Sequence, residues 1–198
     1  MSHLPPLRPA VFLDRDGTIN EEVSYLHRVQ DFRFIPGAEG AVARLKRAGF
    51  AVVVVSNQSG IARGYFDEQA VHTLHAHMDG LLREAGTRID AYYFCPHHEK
   101  DGTVSCECRK PLPGMVTRAA AELGLALERS FMVGDKECDV QAALAAGCRP
   151  VLVRTGYGAA EAAKIPAGVP VVDSLVQAAD LIIRHAEAGC IENAVEGG

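Results

Sequence analysis

The strongest chemical signal in the sequence is a pair of carboxylates, Asp14 and Asp16, in the segment Asp14-Arg-Asp-Gly-Thr18. Side chains two residues apart point the same way along an extended chain, so the two carboxylates can face one site. They repel each other unless a cation lies between them, and Mg²⁺ prefers hard oxygen ligands and phosphate oxygens. One carboxylate could attack phosphorus, while the other gives a proton to the leaving oxygen and later takes one from water. The pair therefore indicates phosphoryl transfer, although a strand-ending acidic turn would also explain it.

Three further polar segments could complete such a site. The hydroxyl of Ser56 follows an apolar run and could donate to phosphoryl oxygens. Lys110 offers a point charge for a phosphoryl group, and Arg109 offers a bidentate fork. Asp135 could complete a Mg²⁺ shell, and Asp139 could cap the next helix or hold a metal-bound water. Each segment is weak alone, but their joint order supplies every part that phosphoryl transfer needs.

A second cluster of ligands is Cys95-Pro-His97-His98 followed by Cys106-Glu-Cys108. Three thiolates and one imidazole make a tetrahedral Zn²⁺ site, and a closed four-ligand site is structural. Chemistry alone does not separate His97 from His98, and reduced cysteines without metal are the alternative. Because Cys108 directly precedes the basic pair, a bound zinc would also fix those two cations.

The elements that must position these residues alternate along the chain. Apolar runs predict strands at residues 10–13, 50–56, 89–95, 130–134, 150–154 and 169–172. Helical patterns occupy residues 36–49, 67–86, 113–124, 139–147 and 174–188. This alternation predicts a doubly wound, Rossmann-like α/β fold, with a mostly parallel sheet and helices on both faces. Ligands bind beyond the carboxyl ends of such strands, where the acid pair and its companions are found.

Length and composition are those of one ordinary domain, expected to span residues 1–198. The net charge of −5 argues mildly against nucleic acid as a partner. Neither an apolar run of about 20 residues nor a signal peptide is recognisable, so we expect a cytoplasmic protein without a membrane partner. Cysteines in that compartment favour metal binding over disulfides. Without an obvious apolar stripe beyond the core, we expect a monomer.

These motifs together resemble those of the haloacid-dehalogenase-like (HAD-like) phosphatases, over about residues 10–155. That family's nucleophile, hydroxyl, lysine and acidic motifs occur in order at Asp14–Thr18, Ser56, Lys110 and Gly134–Asp139. The resemblance implies a covalent phospho-aspartate at Asp14, with Ser56 and Lys110 as further catalytic residues. It also implies Mg²⁺ held by the carboxylates of Asp14 and Asp135 and by the backbone carbonyl of Asp16.

A narrower resemblance is to the D-glycero-D-manno-heptose-1,7-bisphosphate 7-phosphatases, with histidinol-phosphate phosphatases as close relatives. It rests on C-P-H-H, C-x-C-R-K-P, D-R-D-G-T-I-N and S-N-Q-S-G-I-A-R-G. It implies zinc in a loop at about residues 95–108, held by Cys95, His97, Cys106 and Cys108. The implied substrate contacts are Glu22, Val23, Ser24, Tyr25, Ser56, Asn57, Gln58, Ser59, Arg109, Lys110 and Lys136. It implies no large cap domain, so short loops would shape the pocket.

The implied reaction is removal of the 7-phosphate from a heptose bisphosphate, on the route to ADP-heptose and the lipopolysaccharide core. Arg109 and Lys136 are candidates for the distal phosphate. Histidinol phosphate is the alternative substrate, and Glu21, Glu22 and Glu137 near the site would suit its amine. A phosphotransferase with an alcohol acceptor would use the same phospho-aspartate. A non-catalytic zinc-containing module is opposed by the intact pair of aspartates.

Overall fold

The computed structural model describes residues 7–98 and 106–195, and its centre is a six-stranded sheet. The strands are β1 (Ala10–Leu13), β2 (Ala51–Asn57), β3 (Ala91–Cys95), β4 (Phe131–Gly134), β5 (Arg149–Val153) and β6 (Val171–Val172). All neighbouring strands pair in parallel, in the order β3-β2-β1-β4-β5-β6. The chain fills one half of the sheet from β1 outward and then returns to fill the other half from β4. This reversal creates a crevice beyond the carboxyl ends of β1 and β4, where α/β proteins bind ligands.

Helices cover both faces of the sheet. They are α1 (Ala38–Arg47), α2 (Glu68–Glu84), α3 (Gly114–Leu123), α4 (Glu137–Ala146), α5 (Gly158–Glu161) and α6 (Leu175–Val195). Successive strand side chains alternate between faces: Val11 and Leu13 join a core with α1, α2 and α6. Phe12 joins the opposite core with α3 and α4. The predicted doubly wound α/β fold is therefore confirmed.

Most predicted elements are found within two residues of their expected limits. Asp67 is the N-cap of α2, where its carboxylate accepts the backbone N–H of Ala70 at 2.9 Å. Helix α4 begins at Glu137, two residues earlier than predicted. Asp139 is its third residue, and the carboxylate of Asp139 caps the helix by accepting the backbone N–H of Lys136 at 3.0 Å. The short helix α5 was not predicted, and α6 continues beyond its predicted end at residue 188.

The connection from β1 to α1, residues 14–37, is a long loop that contains one turn of 3-10 helix, Val29–Asp31. Residues 99–105 of the predicted zinc loop lie outside the described residues. Among the helices of the described chain, none is both long and apolar enough to cross a membrane.

Ser130 fastens the start of β4 to β1. Its buried hydroxyl accepts the N–H of Ala10 at 2.9 Å and donates to the carbonyl of Ala126 at 2.6 Å. We expect Ser130→Ala to lower the free energy of unfolding by about 1–3 kcal/mol, because a buried N–H loses its partner. Urea denaturation measures this change. Thr73→Ala, which removes an exposed helix hydroxyl, should cost less than about 0.5 kcal/mol; equal losses would contradict the assignment.

Candidate active site

A buried lysine joins two carboxylates at the carboxyl end of the sheet. Lys110 Nζ lies 2.6 Å from Asp14 Oδ1 and 2.6 Å from Asp139 Oδ1, and it donates to the carbonyl of Val55 at 2.8 Å. All three side chains of this ion-paired group are buried. Burial alone would lower the pKa of Lys110, but the charges of Asp139 and Asp14 raise it above its ordinary value. Lys110 is therefore a fixed cation beside Asp14.

Asp135 is fully buried directly after β4. Its Oδ2 accepts the N–H of Tyr157 at 2.8 Å. Its Oδ1 has no hydrogen-bond partner among the described residues and lies 3.8 Å from Lys136 Nζ. A buried carboxylate oxygen without a hydrogen bond is costly, and at a site of this kind it points to a missing cation.

The loop after β5, which the sequence reasoning missed, closes over Asp135. Gly17 and Gly156 have φ values of 84° and 58°, and a Cβ on either would lie 2.3 or 2.2 Å from Asp135 Oδ2. Thr155 Oγ1 donates to the carbonyl of Gly17 at 2.6 Å and joins this loop to the acid pair's turn. The sequence signal was present: the segment Thr155-Gly-Tyr-Gly158 follows an apolar run, as the other site segments do.

The acidic residues fit a magnesium ion. Ligand atoms of Asp14, Asp135 and Asp139 all lie within 4.8 Å of one another. Burial raises the pKa of Asp14 to about 6, since the opposing effect of Lys110 is smaller. Burial, together with the charge of Asp14, raises the pKa of Asp135 to about 7. Crowded carboxylates that resist ionisation, one with an unpartnered oxygen, form the hard-oxygen donor set that Mg²⁺ prefers. Both carboxylate oxygens of Asp139 already have partners, Oδ1 in the ammonium group of Lys110 and Oδ2 in the backbone N–H of Lys136, so Asp14 and Asp135 are the better ligands.

The carboxylate of Asp16 lies in a network that includes a fully buried arginine. It accepts hydrogen bonds from Arg15 Nη2 at 2.8 Å, Asn20 Nδ2 at 2.9 Å and Gln58 Nε2 at 3.2 Å. Burial raises the pKa of Asp16, but the charge of Arg15 and these hydrogen bonds outweigh it and lower the pKa overall. Sequence reasoning missed Arg15 and Asn20, although an arginine enclosed by two acids at the end of an apolar strand was a usable signal.

Two predicted contact residues also form hydrogen bonds with other site residues. The amide of Asn57 pairs with the backbone of Lys110, donating to its carbonyl at 3.0 Å and accepting its N–H at 3.1 Å. Ser56 is buried, and its Oγ accepts Gln58 Nε2 at 3.3 Å. Asn57 therefore holds the lysine backbone in place.

A cavity of about 280 Å³ opens above the carboxylates. Besides Asp14 and Asp16, it is lined by all the predicted substrate contacts except Ser56 and Arg109: Glu22, Val23, Ser24, Tyr25, Asn57, Gln58, Ser59, Lys110 and Lys136. Lys136 Nζ lies 3.2 Å from Glu22 Oε2 and 4.5 Å from the ring centre of Tyr157. Arg109 is not among the lining residues, and its Nη1 donates to the carbonyl of His97 at 3.2 Å. The structure thus brings the predicted residues together, with Arg109 displaced toward the Cys/His cluster.

The four predicted zinc ligands lie together as one cluster. Cys95 Sγ is 3.1 Å from Cys108 Sγ, 3.7 Å from Cys106 Sγ and 3.6 Å from His97 Nδ1. Thiolates bound to one tetrahedral zinc would be roughly 3.7 Å apart, given Zn–S bonds of about 2.3 Å. The donor set and its spacing therefore fit Zn²⁺. His98 lies outside the cluster, and its Nε2 contacts Arg63 Nη2.

Comparisons with known proteins agree with this geometry. The HAD-hydrolase-like family model matches residues 107–178. A D-glycero-β-D-manno-heptose-1,7-bisphosphate 7-phosphatase of Photorhabdus laumondii is 48% identical over 181 residues, covering 89% of this chain and 90% of its own. The enzyme of that name from Yersinia pestis is 53% identical over 154 residues, 75% of this chain and 81% of its own.

Solved structures give the same result. The crystal structure of D,D-heptose 1,7-bisphosphate phosphatase from B. bronchiseptica, complexed with magnesium and phosphate, superposes with a TM-score of 0.83 and 38% identity. The match covers 89% of this chain and 99% of that one. The corresponding Burkholderia thailandensis structure has a TM-score of 0.66 and 36% identity, covering 87% and 96%.

Magnesium should stabilise the protein in a pH-dependent way. Without metal, the stability associated with neutral Asp14 and Asp135 is lost as the pH rises through their pKa values of about 6 and 7. Mg²⁺ binds the ionised forms, so we expect it to raise Tm by roughly 5 °C at pH 8 and by less at pH 6. Calorimetry with and without Mg²⁺ measures this difference. Asp135→Asn should lose the increase and the exposed control Asp173→Asn should keep it; an equal increase at both pH values would refute the assignment.

Zinc removal tests the second metal site. We expect Cys108→Ser to lose bound zinc and to lower Tm by at least about 5 °C, because the cluster joins the end of β3 to the segment before α3. Elemental analysis and thermal melting measure the two effects. Cys148→Ser, a buried cysteine outside the cluster, should keep zinc bound. Verified loss of zinc with unchanged Tm would show that the ion does not support the fold.

Proposed function

Because the chain belongs to the D-glycero-D-manno-heptose-1,7-bisphosphate 7-phosphatases of the HAD-like hydrolases, we propose that it removes the 7-phosphate from D-glycero-β-D-manno-heptose 1,7-bisphosphate. This reaction belongs to the synthesis of ADP-heptose for the lipopolysaccharide core. The observation that carries the proposal is the buried group of Asp14, Lys110 and Asp135 beneath a cavity of small-metabolite size. We choose the β anomer because it is the substrate in the names of the similar enzymes of Yersinia pestis and Photorhabdus laumondii.

In the proposed mechanism Asp14 is the nucleophile. Lys110 holds Oδ1 of Asp14, which leaves the other carboxylate oxygen to attack phosphorus. As the new O–P bond forms, the bond from phosphorus to the sugar oxygen breaks, and Asp16 gives that oxygen a proton. Asp16 then takes a proton from water, which attacks the phospho-aspartate and releases phosphate and free Asp14. Mg²⁺, held by Asp14, Asp135 and the carbonyl of Asp16, would neutralise the carboxylates and orient the phosphate.

The protonation of Asp16 is the demanding part of this cycle. Arg15 and its companions favour the ionised carboxylate, which is the form required to accept a proton from water. Asp16 must therefore take up a proton when the anionic substrate approaches and raises its pKa. Lys110, which lines the cavity, is proposed to bind the transferring phosphoryl group. The buried hydroxyl of Ser56 would have to turn from Gln58 toward the cavity to donate to the same group.

At the other end of the substrate, Lys136 and Arg109 are proposed to bind the 1-phosphate. Lys136 lines the cavity, and Arg109 would have to turn from the carbonyl of His97 toward it. Histidinol phosphate would require an unpaired acid for its amine. The available acid, Glu22, is ion-paired with Lys136, which favours the bisphosphate.

Phosphate release in the presence of Mg²⁺ tests the proposal. We expect fast release from the β anomer, slower release from the α anomer and little from histidinol phosphate. Asp14→Asn should lower kcat by about 10³-fold or more because it removes the nucleophile, whereas Asp173→Asn should match the wild type. Preference for histidinol phosphate would refute the substrate assignment. Release that persists in Asp14→Asn would refute the mechanism.

A further inference from the structure

Three neighbouring loops lie beside the cavity, and the middle one touches both of the others. The first, residues 22–27, lines the cavity. The second, residues 58–67, follows β2. The third, residues 95–98, follows β3 and carries two of the four Cys/His ligands. The middle loop is therefore the physical connection between the predicted zinc ion and the wall of the pocket.

The middle loop is attached to the Cys/His segment by backbone and side-chain contacts. The N–H of Gln58 donates to the carbonyl of Cys95 at 2.8 Å, and the N–H of Ala62 donates to the carbonyl of Pro96 at 3.2 Å. Beyond them, Arg63 Nη2 contacts His98 Nε2. Whatever fixes the backbone from Cys95 to His98 also fixes these three attachment points.

On its other side the same loop contacts the pocket wall through aromatic rings. Tyr65 packs edge-on against Tyr25, with ring centres 4.7 Å apart. The guanidinium carbon of Arg63 lies 5.9 Å from the ring centre of Tyr25. Phe66 stacks on His27 at 5.1 Å. Arg63 is thus the side chain that touches both neighbouring loops, since it reaches His98 and Tyr25.

Tyr25 has a backbone conformation that requires such support. Its φ of 56° is the only positive value of a non-glycine residue in the described chain, and a Cβ disfavours this region. The side chain is 41% exposed, so core packing does not hold it. The next carbonyl, that of Leu26, accepts Arg15 Nη2 at 3.2 Å, and Arg15 pairs with Asp16. Residues 22–27 are therefore connected through Arg15 to Asp16, the candidate proton donor.

We propose that Arg63 is a positioning residue that transmits the order of the Cys/His cluster to the pocket wall at residues 22–27. With the ion bound, the backbone at 95–98 is fixed, His98 holds Arg63, and Arg63 with Tyr65 holds Tyr25 in its left-handed conformation. The zinc cluster then shapes the sugar end of the cavity without touching the substrate. The predicted effect of Arg63 on substrate affinity rests on the proposed function, whereas its effect on the order of residues 22–27 does not.

Hydrogen exchange of the zinc-loaded protein tests this connection directly. Arg63→Ala should speed amide exchange in residues 22–27 by about threefold or more, since their support is removed, while β2 stays unchanged. Arg88→Ala, which removes an exposed arginine beside α2, is the matched control and should change neither. Unchanged exchange at residues 22–27 in Arg63→Ala would overturn the proposal.

A second arm removes the zinc. In the wild type, verified zinc loss should speed exchange at residues 22–27 as well as at 95–98. In Arg63→Ala zinc loss should speed exchange at residues 22–27 less than in the wild type, because the side chain that reaches both loops is already gone; an equal increase in the two proteins would overturn the proposal. Faster exchange at 95–98 with unchanged 22–27 would overturn the proposal. If zinc loss unfolds the whole chain, the zinc-loaded Arg63→Ala protein still decides the question.

Kinetics give a readout that general destabilisation would not. With heptose 1,7-bisphosphate, Arg63→Ala should raise KM about threefold to tenfold and leave kcat within about twofold. An equal fall in kcat and kcat/KM would mean that Arg63 interacts with the substrate only in the transition state, which would contradict a positioning role. Should the enzyme prefer another phosphate ester, the exchange experiments still judge the connection, so the two failures are distinguishable.

Discussion

The site depends on one buried cation, the ammonium group of Lys110. It lies between Asp14 and Asp139 and is fastened to the carbonyl of Val55, so it joins the ends of β1 and β2 to the start of α4. Without it, Lys136, 3.8 Å from Asp135 Oδ1 and partly exposed, would be left as the nearby cation for three crowded, buried carboxylates. Losing one partner of a buried ion pair costs about 3–5 kcal/mol, so geometry and stability are tied together here.

Because Lys110 belongs to a loop, its precision must come from elsewhere. Asn57 holds its backbone from the β2 side, and the Cys/His cluster ends at Cys108, two residues before it. Sheet and cluster therefore act on the same residue from opposite directions. A loop next to a rigid strand end and a metal-ligand cluster can place a charge as accurately as a secondary-structure element can.

Much of this arrangement could be predicted from the sequence, because it follows local patterns. Apolar runs fixed the strands, and polar residues directly after Leu13, Val55 and Gly134 had to lie at one edge of a parallel sheet. Contacts between distant segments carried no such pattern. The contact of the loop after β5 with Asp135, the enclosure of Arg15 by Leu26 and Gln58, and the turn of Arg109 toward His97 depend on tertiary packing and rotamers. The short helix α5 was not predicted because four residues are too few to show the hydrophobic periodicity of a helix.

The internal countercharge also determines the order in which the enzyme can mature. Since Lys110 already compensates Asp14 and Asp139, and Asp135 can hold a proton near neutral pH, the active-site end of the sheet can form before Mg²⁺ binds. Metal loading is then a late step that exchanges a proton for an ion. The ion therefore enters a site that is already assembled.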